Sequence, residues 1–363
     1  MHQEEKKTPD KEVALIVIHG MGNMDKKKFE KSCKTLEERL EKKIGKELWS
    51  KVFFDGIYYH DILQENQDMV FCRTKKHIHC SWIRKFLLSH FSDAAATEHK
   101  KVPDTSPYYC IQDRIREMMD KAFVAAGEKE IPVILLAQSL GAQIMSNYIW
   151  DASAPEKVCA GIWAPCVKKE DRSAEEDQNG KDRNGKVALC SCSSQNLFRR
   201  MFTLRRLYTT GCNIPIFVGG HSEIKAIEPP TSDFKWLNFY NRYDVLGWPL
   251  EPVSKSYKKL VKDVPLKDWS FIGEVLLPGI LLLIGAFLWA LKKVFGKLLP
   301  TDMMSESSIR ISSLLERAYC HTRYWHESKV INELTEFVKD LDYQQRADPN
   351  CSAPPVPTNK SFR

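Results

Sequence analysis

The chain has 363 residues, of which 43% are hydrophobic and 28% are charged, so it can bury a sizeable core and is not an intrinsically disordered protein. Lysine and arginine number 54 against 47 aspartates and glutamates, which leaves a mild net charge of +7. No basic stripe is interleaved with aromatic residues, so the composition gives no support to a nucleic-acid partner, although it suits an anionic membrane surface.

The N-terminal residues 1–12, "MHQEEKKTPDKE", form a polar tail without the apolar stretch of a secretory signal peptide. The chain has eleven cysteines, an odd number spread from Cys33 to Cys351. This pattern favours reduced thiols over a disulfide framework in a chain of this length. We therefore expect a cytoplasmic protein.

Apolar runs and helical periodicities alternate along the chain, which favours a mostly parallel sheet flanked by helices, an α/β fold. The predicted strands are 13–18, 51–60, a strand from 133, 213–220 and 234–240. The predicted helices are 26–46, 113–126, a helix after Ser139, and 326–343.

Two polar stretches break this alternation. Residues 168–196 begin with "KKEDRSAEEDQNGKDRNGK", which is too polar to offset the entropy of ordering, and they predict a mobile insertion. The tail 346–363 is predicted to be disordered for the same reason. The sequence therefore indicates one domain over 13–345.

The stretch "VILLAQSLGAQI", 133–144, leads from a buried strand into a serine. A nucleophile on a tight turn between a strand and a helix needs small residues two positions before and after it, and Ala137 and Gly141 meet that need. The turn would raise the hydroxyl of Ser139 above the sheet edge and direct the N–H of Leu140 at an oxyanion.

A second oxyanion donor is expected from the loop that follows the first strand. That loop reads "HGMG" and contains His19, Gly20, Met21 and Gly22. The N–H of Met21 is the candidate donor.

These features resemble the α/β-hydrolase superfamily over most of the chain, with Gln138 and Ser139 on the nucleophile turn and Ala137 replacing the first glycine of G-x-S-x-G. The resemblance implies the order nucleophile, acid, histidine, each at the C-terminal end of a strand. It therefore implies an acid beyond the strand 234–240 and a histidine before the last helix.

Asp244 lies beyond that strand, whereas Asp233 precedes it at the wrong end of the sheet. His321 is the candidate base, with His326 as the alternative. In this arrangement His321 takes the serine proton, and Asp244 orients the imidazole and stabilises the imidazolium.

The apolar segment 275–291, "VLLPGILLLIGAFLWAL", lies between the predicted acid and histidine. A single membrane crossing there would separate the base from the serine. Three alternatives stay open: an interfacial or re-entrant helix that docks on lipid, a cap helix over an acyl-binding cleft, or a buried core helix. We assign 245–310 to this cap or membrane-docking insertion. Residues 75–91 are basic and aromatic, and they predict a core-packed helix with a solvated basic face or, alternatively, a membrane contact.

No metal site is predicted. The cluster Cys72, His77, His79 and Cys80 lacks a C-x-x-C pair or a helical H-x-x-x-H. The pair Cys190 and Cys192 is a still weaker candidate for a metal site. The P-loop pattern is missing, and "GMGNMD" lacks the third glycine of a dinucleotide fingerprint, so we expect no cofactor.

The resemblance implies a serine hydrolase that cleaves an ester of an apolar or lipid-like acyl group through an acyl-enzyme. A thioesterase or acyltransferase would use the same triad, because pocket shape sets the leaving group and acceptor. The alternative from another class is a catalytically silent, membrane-associated scaffold.

Overall fold

The computed structural model describes residues 10–21, 25–77, 79, 81–97, 106–153, 193–242, 244–266, 321 and 323–347. Within these ranges the architecture is a single parallel sheet of six strands with helices on both faces, an α/β fold. The order across the sheet is β2-β1-β3-β4-β5-β6. The strands are β1 Val13–Ile18, β2 Val52–Ile57, β3 Val133–Gln138, β4 Leu204–Thr210, β5 Lys235–Tyr240 and β6 Val261–Pro265.

Ten helices are described, together with 3-10 turns at Lys75–His77, Glu251–Val253 and Tyr324–His326. The helices are α1 Lys26–Ile44, α2 Lys46–Trp49, α3 Asp61–Thr74, α4 Ser81–Thr97, α5 Pro107–Ala125, α6 Leu140–Ser153, α7 Ser194–Arg199, α8 Ile214–Val218, α9 Lys255–Leu260 and α10 Ser328–Ala347.

The alternation of side chains along β1 divides the core into two layers. Val13, Leu15 and Val17 belong to the layer that contains α1 and α10. The intervening residues of β1 belong to the layer that contains α5 and α6. Because both faces are covered, β1 and most of β3 read as continuous apolar runs, as expected for parallel strands.

The predicted strand at 213–220 is wrong. Residues 214–218 form the short helix α8, with Pro215 in its first turn, where the missing N–H costs nothing. The strand of this region is β4, which ends shortly before α8. Arg205 and Arg206 interrupt the apolar run by which a buried strand is predicted. Arg205 pairs with Asp233, and the guanidinium of Arg206 lies 3.8 Å from the ring centroid of Phe337.

The range 245–310, which the sequence assigned to a cap or membrane-docking insertion, contains a strand of the sheet in its described part, β6 at Val261–Pro265. Strand β6 pairs with β5, with Trp236 opposite Val261 and Phe239 opposite Val264. The segment 275–291 lies outside the described residues. Among the helices of the described ranges, none combines the length and apolar character needed to cross a membrane.

Other predicted segments also lie outside the described residues, namely 1–9, 154–192 and 348–363. Lys11 and Glu12, at the end of the predicted polar tail, donate backbone hydrogen bonds to Ala125 and Lys51. In the range 75–91, Leu87 and Phe91 of α4 are exposed and therefore do not pack in the core. The cysteines that the structure describes, Cys33, Cys72, Cys110 and Cys212, are free thiols.

Candidate active site

Ser139 lies on the turn between β3 and α6 in the left-handed region, with φ = 52°. This conformation is energetically unfavourable for a residue other than glycine, and residues that adopt it cluster at functional sites. Its backbone is held on both sides, because its N–H donates to the carbonyl of Thr210 at 2.9 Å and its carbonyl accepts from the N–H of Ala142 at 2.9 Å. The turn therefore sets the direction of the hydroxyl.

Small residues surround this turn, as the sequence predicts. A Cβ on Gly141 would lie 2.5 Å from the carbonyl oxygen of His19, and one on Gly20 would lie 2.6 Å from Cβ of Ser139. Ala137 is fully buried and pairs with Ile18 across β1 and β3. The loop after β1 therefore packs directly against the serine turn.

His19 organises this loop rather than acting as an acid or base. The N–H of Tyr59 points at Nε2 of His19 at 3.3 Å, so Nε2 accepts and the ring proton sits on Nδ1, which donates to the carbonyl of Gly20 at 2.7 Å. Burial lowers the pKa of His19 to about 3, so its imidazole is neutral. The Tyr59 ring stacks on it at 4.2 Å.

The Gly20 carbonyl accepts a second hydrogen bond, from the hydroxyl of Tyr59 at 3.0 Å. In a trans peptide the N–H of the next residue points away from the carbonyl oxygen. Two donors on the Gly20 carbonyl therefore fix the direction of the Met21 N–H. Gly22, the last residue of the predicted loop, lies outside the described residues.

Asp244 and His321 are in contact. Nδ1 of His321 lies 2.7 Å from Oδ2 of Asp244, and the carboxylate side chain is completely buried. The hydroxyl of Tyr324 donates to the same oxygen at 2.8 Å, and the N–H of Leu246 donates to Oδ1 at 3.0 Å. Three donors thus satisfy a buried carboxylate that would otherwise be costly.

The residues next to Ser139 connect the serine turn to His321. Gln138 donates from Nε2 to the carbonyl of His321 at 2.6 Å. Gly211, which follows the carbonyl that holds Ser139, packs against the imidazole, and a Cβ there would lie 3.0 Å from Nδ1 of His321. These contacts and the pairing with Asp244 place His321 at the C-terminal ends of β3, β4 and β5, the end of the sheet where the turn of Ser139 lies.

Several buried polar atoms at this end of the sheet lack a hydrogen-bond partner among the described residues: Oγ of Ser139, Nε2 of His321, Oγ1 of Thr210, and Nδ2 and Oδ1 of Asn213. Buried polar atoms are normally paired, and those that are not often mark a functional site. A proton would move between Oγ of Ser139 and Nε2 of His321 if His321 activated the serine.

The alternative residues occupy other positions. Asp233 precedes β5 and pairs with Arg205. His326 lies on the 3-10 turn Tyr324–His326, where burial and the nearby Arg39 and Arg323 lower its pKa. Of the two histidines considered, His321 is the one in contact with Asp244.

Sequence analysis missed several residues of the site. Tyr59 and Tyr324 make contacts between residues far apart in the chain, so no local pattern identifies them. Gly211 and Gly247 carried a weak signal as glycines just after apolar stretches. A Cβ on Gly247 would lie 2.5 Å from Oδ2 of Asp244, so glycine is needed for the carboxylate to fit.

No metal site emerges from the part of the chain that the structure describes, where no group of three or more His, Cys, Asp or Glu side chains could hold an ion. Cys72 is exposed, and Cys80, Cys190 and Cys192 lie outside the described residues.

The strand order places a topological switch point between β1 and β3, because β2 lies on one side of β1 and β3 on the other. In open α/β sheets, ligands bind outside the C-terminal ends of the strands at such a point. The His19 loop and Ser139 follow these two strands.

Comparisons with protein-family models, with curated proteins and with solved structures find no match to this chain.

Proposed function

We propose that the chain is a serine hydrolase of the α/β-hydrolase type, with Ser139 as nucleophile, His321 as general base and Asp244 as its orienting acid. The observation that carries this proposal is the pairing of Asp244 with His321 beside a serine held at φ = 52° on a strand-to-helix turn. The order of these residues along the chain is the one described for that superfamily.

Each step of ester hydrolysis can be assigned to a residue of the site. Nε2 of His321 takes the proton of Ser139 as Oγ attacks the ester carbonyl, and the N–H groups of Leu140 and Met21 stabilise the oxyanion. His321 then returns the proton to the departing alkoxide and later activates the water that releases the acyl group. Asp244 stabilises the imidazolium formed in each half of the reaction.

An apolar or lipid-like acyl group is the substrate class that the surroundings favour. Val245 and Trp248, which lie directly after the acid, are exposed, as is Ile216 of α8. Exposed large apolar side chains beside a site are typical of a surface that binds an apolar ligand.

Covalent labelling tests the nucleophile and base together. A fluorophosphonate should add one phosphonyl group, with loss of fluoride, to the intact protein and none to Ser139→Ala. His321→Ala should slow labelling by about 100-fold or more, as expected for loss of a general base. His326→Ala is the matched control and should label at the normal rate. A folded protein that takes no adduct would overturn the proposal and favour a scaffold.

The acyl preference is tested with p-nitrophenyl esters of increasing chain length. The kcat/KM should rise with length, by up to about fourfold for each methylene that becomes buried. Trp248→Ala should flatten this trend, whereas Val124→Ala, at an exposed apolar residue of α5, should not. A preference for acetyl esters would contradict the lipid-like substrate while leaving the hydrolase intact.

A further inference from the structure

We propose that Tyr324 is a positioning residue that aligns Asp244 with His321, an inference that rests on the proposed function. Its hydroxyl lies 2.8 Å from Oδ2 of Asp244, the oxygen that also lies 2.7 Å from Nδ1 of His321. One carboxylate oxygen is therefore shared by the histidine and the tyrosine.

The hydroxyl of Tyr324 also accepts a hydrogen bond, from the N–H of Asn241 at 3.0 Å. Asn241 is the first residue after β5, and Asp244 follows three residues later. A single hydroxyl therefore connects the beginning of the acid turn to the carboxylate. This contact restricts the turn that carries Asp244.

Packing leaves the Tyr324 ring little freedom. The ring is 1% exposed, meets the His321 imidazole edge to face at 6.1 Å, and lies where a Cβ on Gly211 would approach to 2.6 Å. Because Tyr324 follows His321 by three residues, its anchored ring also limits where the imidazole can lie.

Removal of the hydroxyl has two expected consequences. Oδ2 of Asp244 would keep His321 as its donor and, without the second donor, would accept a shorter and stronger hydrogen bond from Nδ1. The N–H of Asn241 would lose its acceptor, and the acid turn would be less well fixed. Asp244 and Tyr324 are the titratable groups that the described structure places against the imidazole.

The first test records the NMR signal of the Nδ1 proton of His321 in the whole chain, assigned by its loss in His321→Asn. Tyr324→Phe should move this signal downfield, because Oδ2 of Asp244 would accept from Nδ1 without a second donor. Tyr148→Phe is the matched control, since Tyr148 is a buried tyrosine whose hydroxyl donates to the carbonyl of Arg199. An unchanged Nδ1 signal in folded Tyr324→Phe would overturn the proposal.

The second test uses ester hydrolysis. In Tyr324→Phe, kcat should fall about tenfold with little change in KM, because the imidazole is less well aligned while substrate binding is untouched. The NMR readout needs no turnover. A shifted Nδ1 signal in a protein that neither labels nor hydrolyses would therefore support the contact and overturn the proposed function.

A separate observation concerns the outer face of α4, which we define as Leu87 and Phe91. Both side chains are exposed, and Phe91 reaches 69%. They are one helical turn apart and share one side of α4. Lys85 pairs with Asp68 and lies 5.3 Å above the Phe71 ring, so the side of α4 that carries Lys85 faces α3, and Leu87, two residues further on, points away from it.

This apolar face has basic surroundings. Arg84 lies three residues before Leu87 and is exposed on the same side of α4, whereas Asp68 pairs with Lys85 on the side that faces α3. Arg73, Lys75 and Lys76, at the end of α3 and in the turn after it, are also exposed. Apolar side chains flanked by lysine and arginine complement the boundary of an anionic bilayer. We infer that the outer face of α4 docks on an anionic lipid surface.

Co-sedimentation of the full chain with vesicles tests this inference. The chain should bind phosphatidylcholine vesicles that contain phosphatidylserine, bind pure phosphatidylcholine vesicles less, and lose affinity as salt is added. Leu87→Glu with Phe91→Glu should weaken binding at least tenfold, whereas Val124→Glu should not. Two outcomes would overturn the inference: equal binding by the double variant, or no vesicle binding together with a dimer that the double variant converts to a monomer.

Discussion

Gly20 is the residue whose side chain, if it had one, would interfere most directly with the serine. A methyl group at this position would lie 2.6 Å from Cβ of Ser139 and 3.3 Å from the carbonyl oxygen of Gln138. Both atoms belong to a turn that cannot move without disturbing the hydrogen bond to Thr210. The absence of a side chain at Gly20 therefore shapes the site as much as the groups that are present.

Gly20→Ala should slow fluorophosphonate labelling at least tenfold and lower the free energy of unfolding by about 1 to 3 kcal/mol, the usual cost of overpacking. Labelling rates and urea unfolding measure the two effects. Gly220→Ala is the control, because a Cβ there meets nothing within 4 Å. Normal labelling by Gly20→Ala would show that the loop after β1 does not constrain the serine.

The pKa of His19 makes a prediction about acid stability. Burial lowers this pKa from 6.5 to about 3. At pH values between these two, His19 is therefore protonated in the unfolded chain and neutral in the folded chain. Stability should therefore fall as the pH drops below about 6.5, by up to about 1.4 kcal/mol per pH unit from this residue.

His19→Asn should flatten the pH dependence of the free energy of unfolding between pH 4 and about 6.5, because asparagine does not titrate there. His60 and His326 contribute slopes of the same sign, since burial also lowers their pKa values, and these slopes should remain in the variant. Urea unfolding at a series of pH values measures the effect. The same slope in both proteins would contradict the neutral, buried state of His19.

Strand β6 and the turn before it are held together by Asp263. Its carboxylate accepts from Nδ2 of Asn238 at 2.8 Å and from the N–H groups of Leu250 and Glu251 at 3.0 and 2.9 Å. Asn238 also donates to the carbonyl of Trp248 at 2.9 Å. This network explains why the segment from Trp248 to β6 packs against β5 and does not form a separate insertion.

Asp263→Ala should lower the free energy of unfolding by about 2 to 4 kcal/mol, because three donors lose their acceptor. Glu223→Ala removes a carboxylate from an exposed pair with Lys225 and should change it by less than about 0.5 kcal/mol. Urea unfolding compares the two variants. A cost for Asp263→Ala as small as that of the control would mean that water replaces the carboxylate and that β6 is only loosely attached.

At the scale of the whole sheet, the interior strands are buried on both faces, whereas the strands at its two edges are more exposed to solvent. All six residues of β1 and five of the six in β3 are buried, whereas in β2, at one edge of the sheet, two of six are buried. Strand β6, at the other edge, has two buried residues of five. Local opening should therefore begin at the edges.

Native-state hydrogen exchange should show this gradient. Amides of β1 and β3 should exchange last, with the free energy of global unfolding, and those of β2 and β6 earlier. Mass spectrometry of peptides from each strand measures the order. Protection of β2 equal to that of β3 would contradict the assignment of β2 as an open edge among the described strands.

Local sequence alone determined the features that depend on neighbouring residues. The apolar runs at 13–18 and 133–137 predict strands buried on both faces, and the small residues around Ser139 predict its tight turn, because both effects act over a few positions. Tertiary structure decided the rest. It gave β4 its place in the sheet despite two arginines, whose charge is offset by Asp233 and whose side chains cover neighbouring apolar surface. It also brought Tyr324 to Asp244 and Tyr59 to Gly20, which are 80 and 39 positions apart in the chain. No local pattern encodes these contacts, because only the assembled sheet brings the loops at the C-terminal ends of its strands within hydrogen-bond distance.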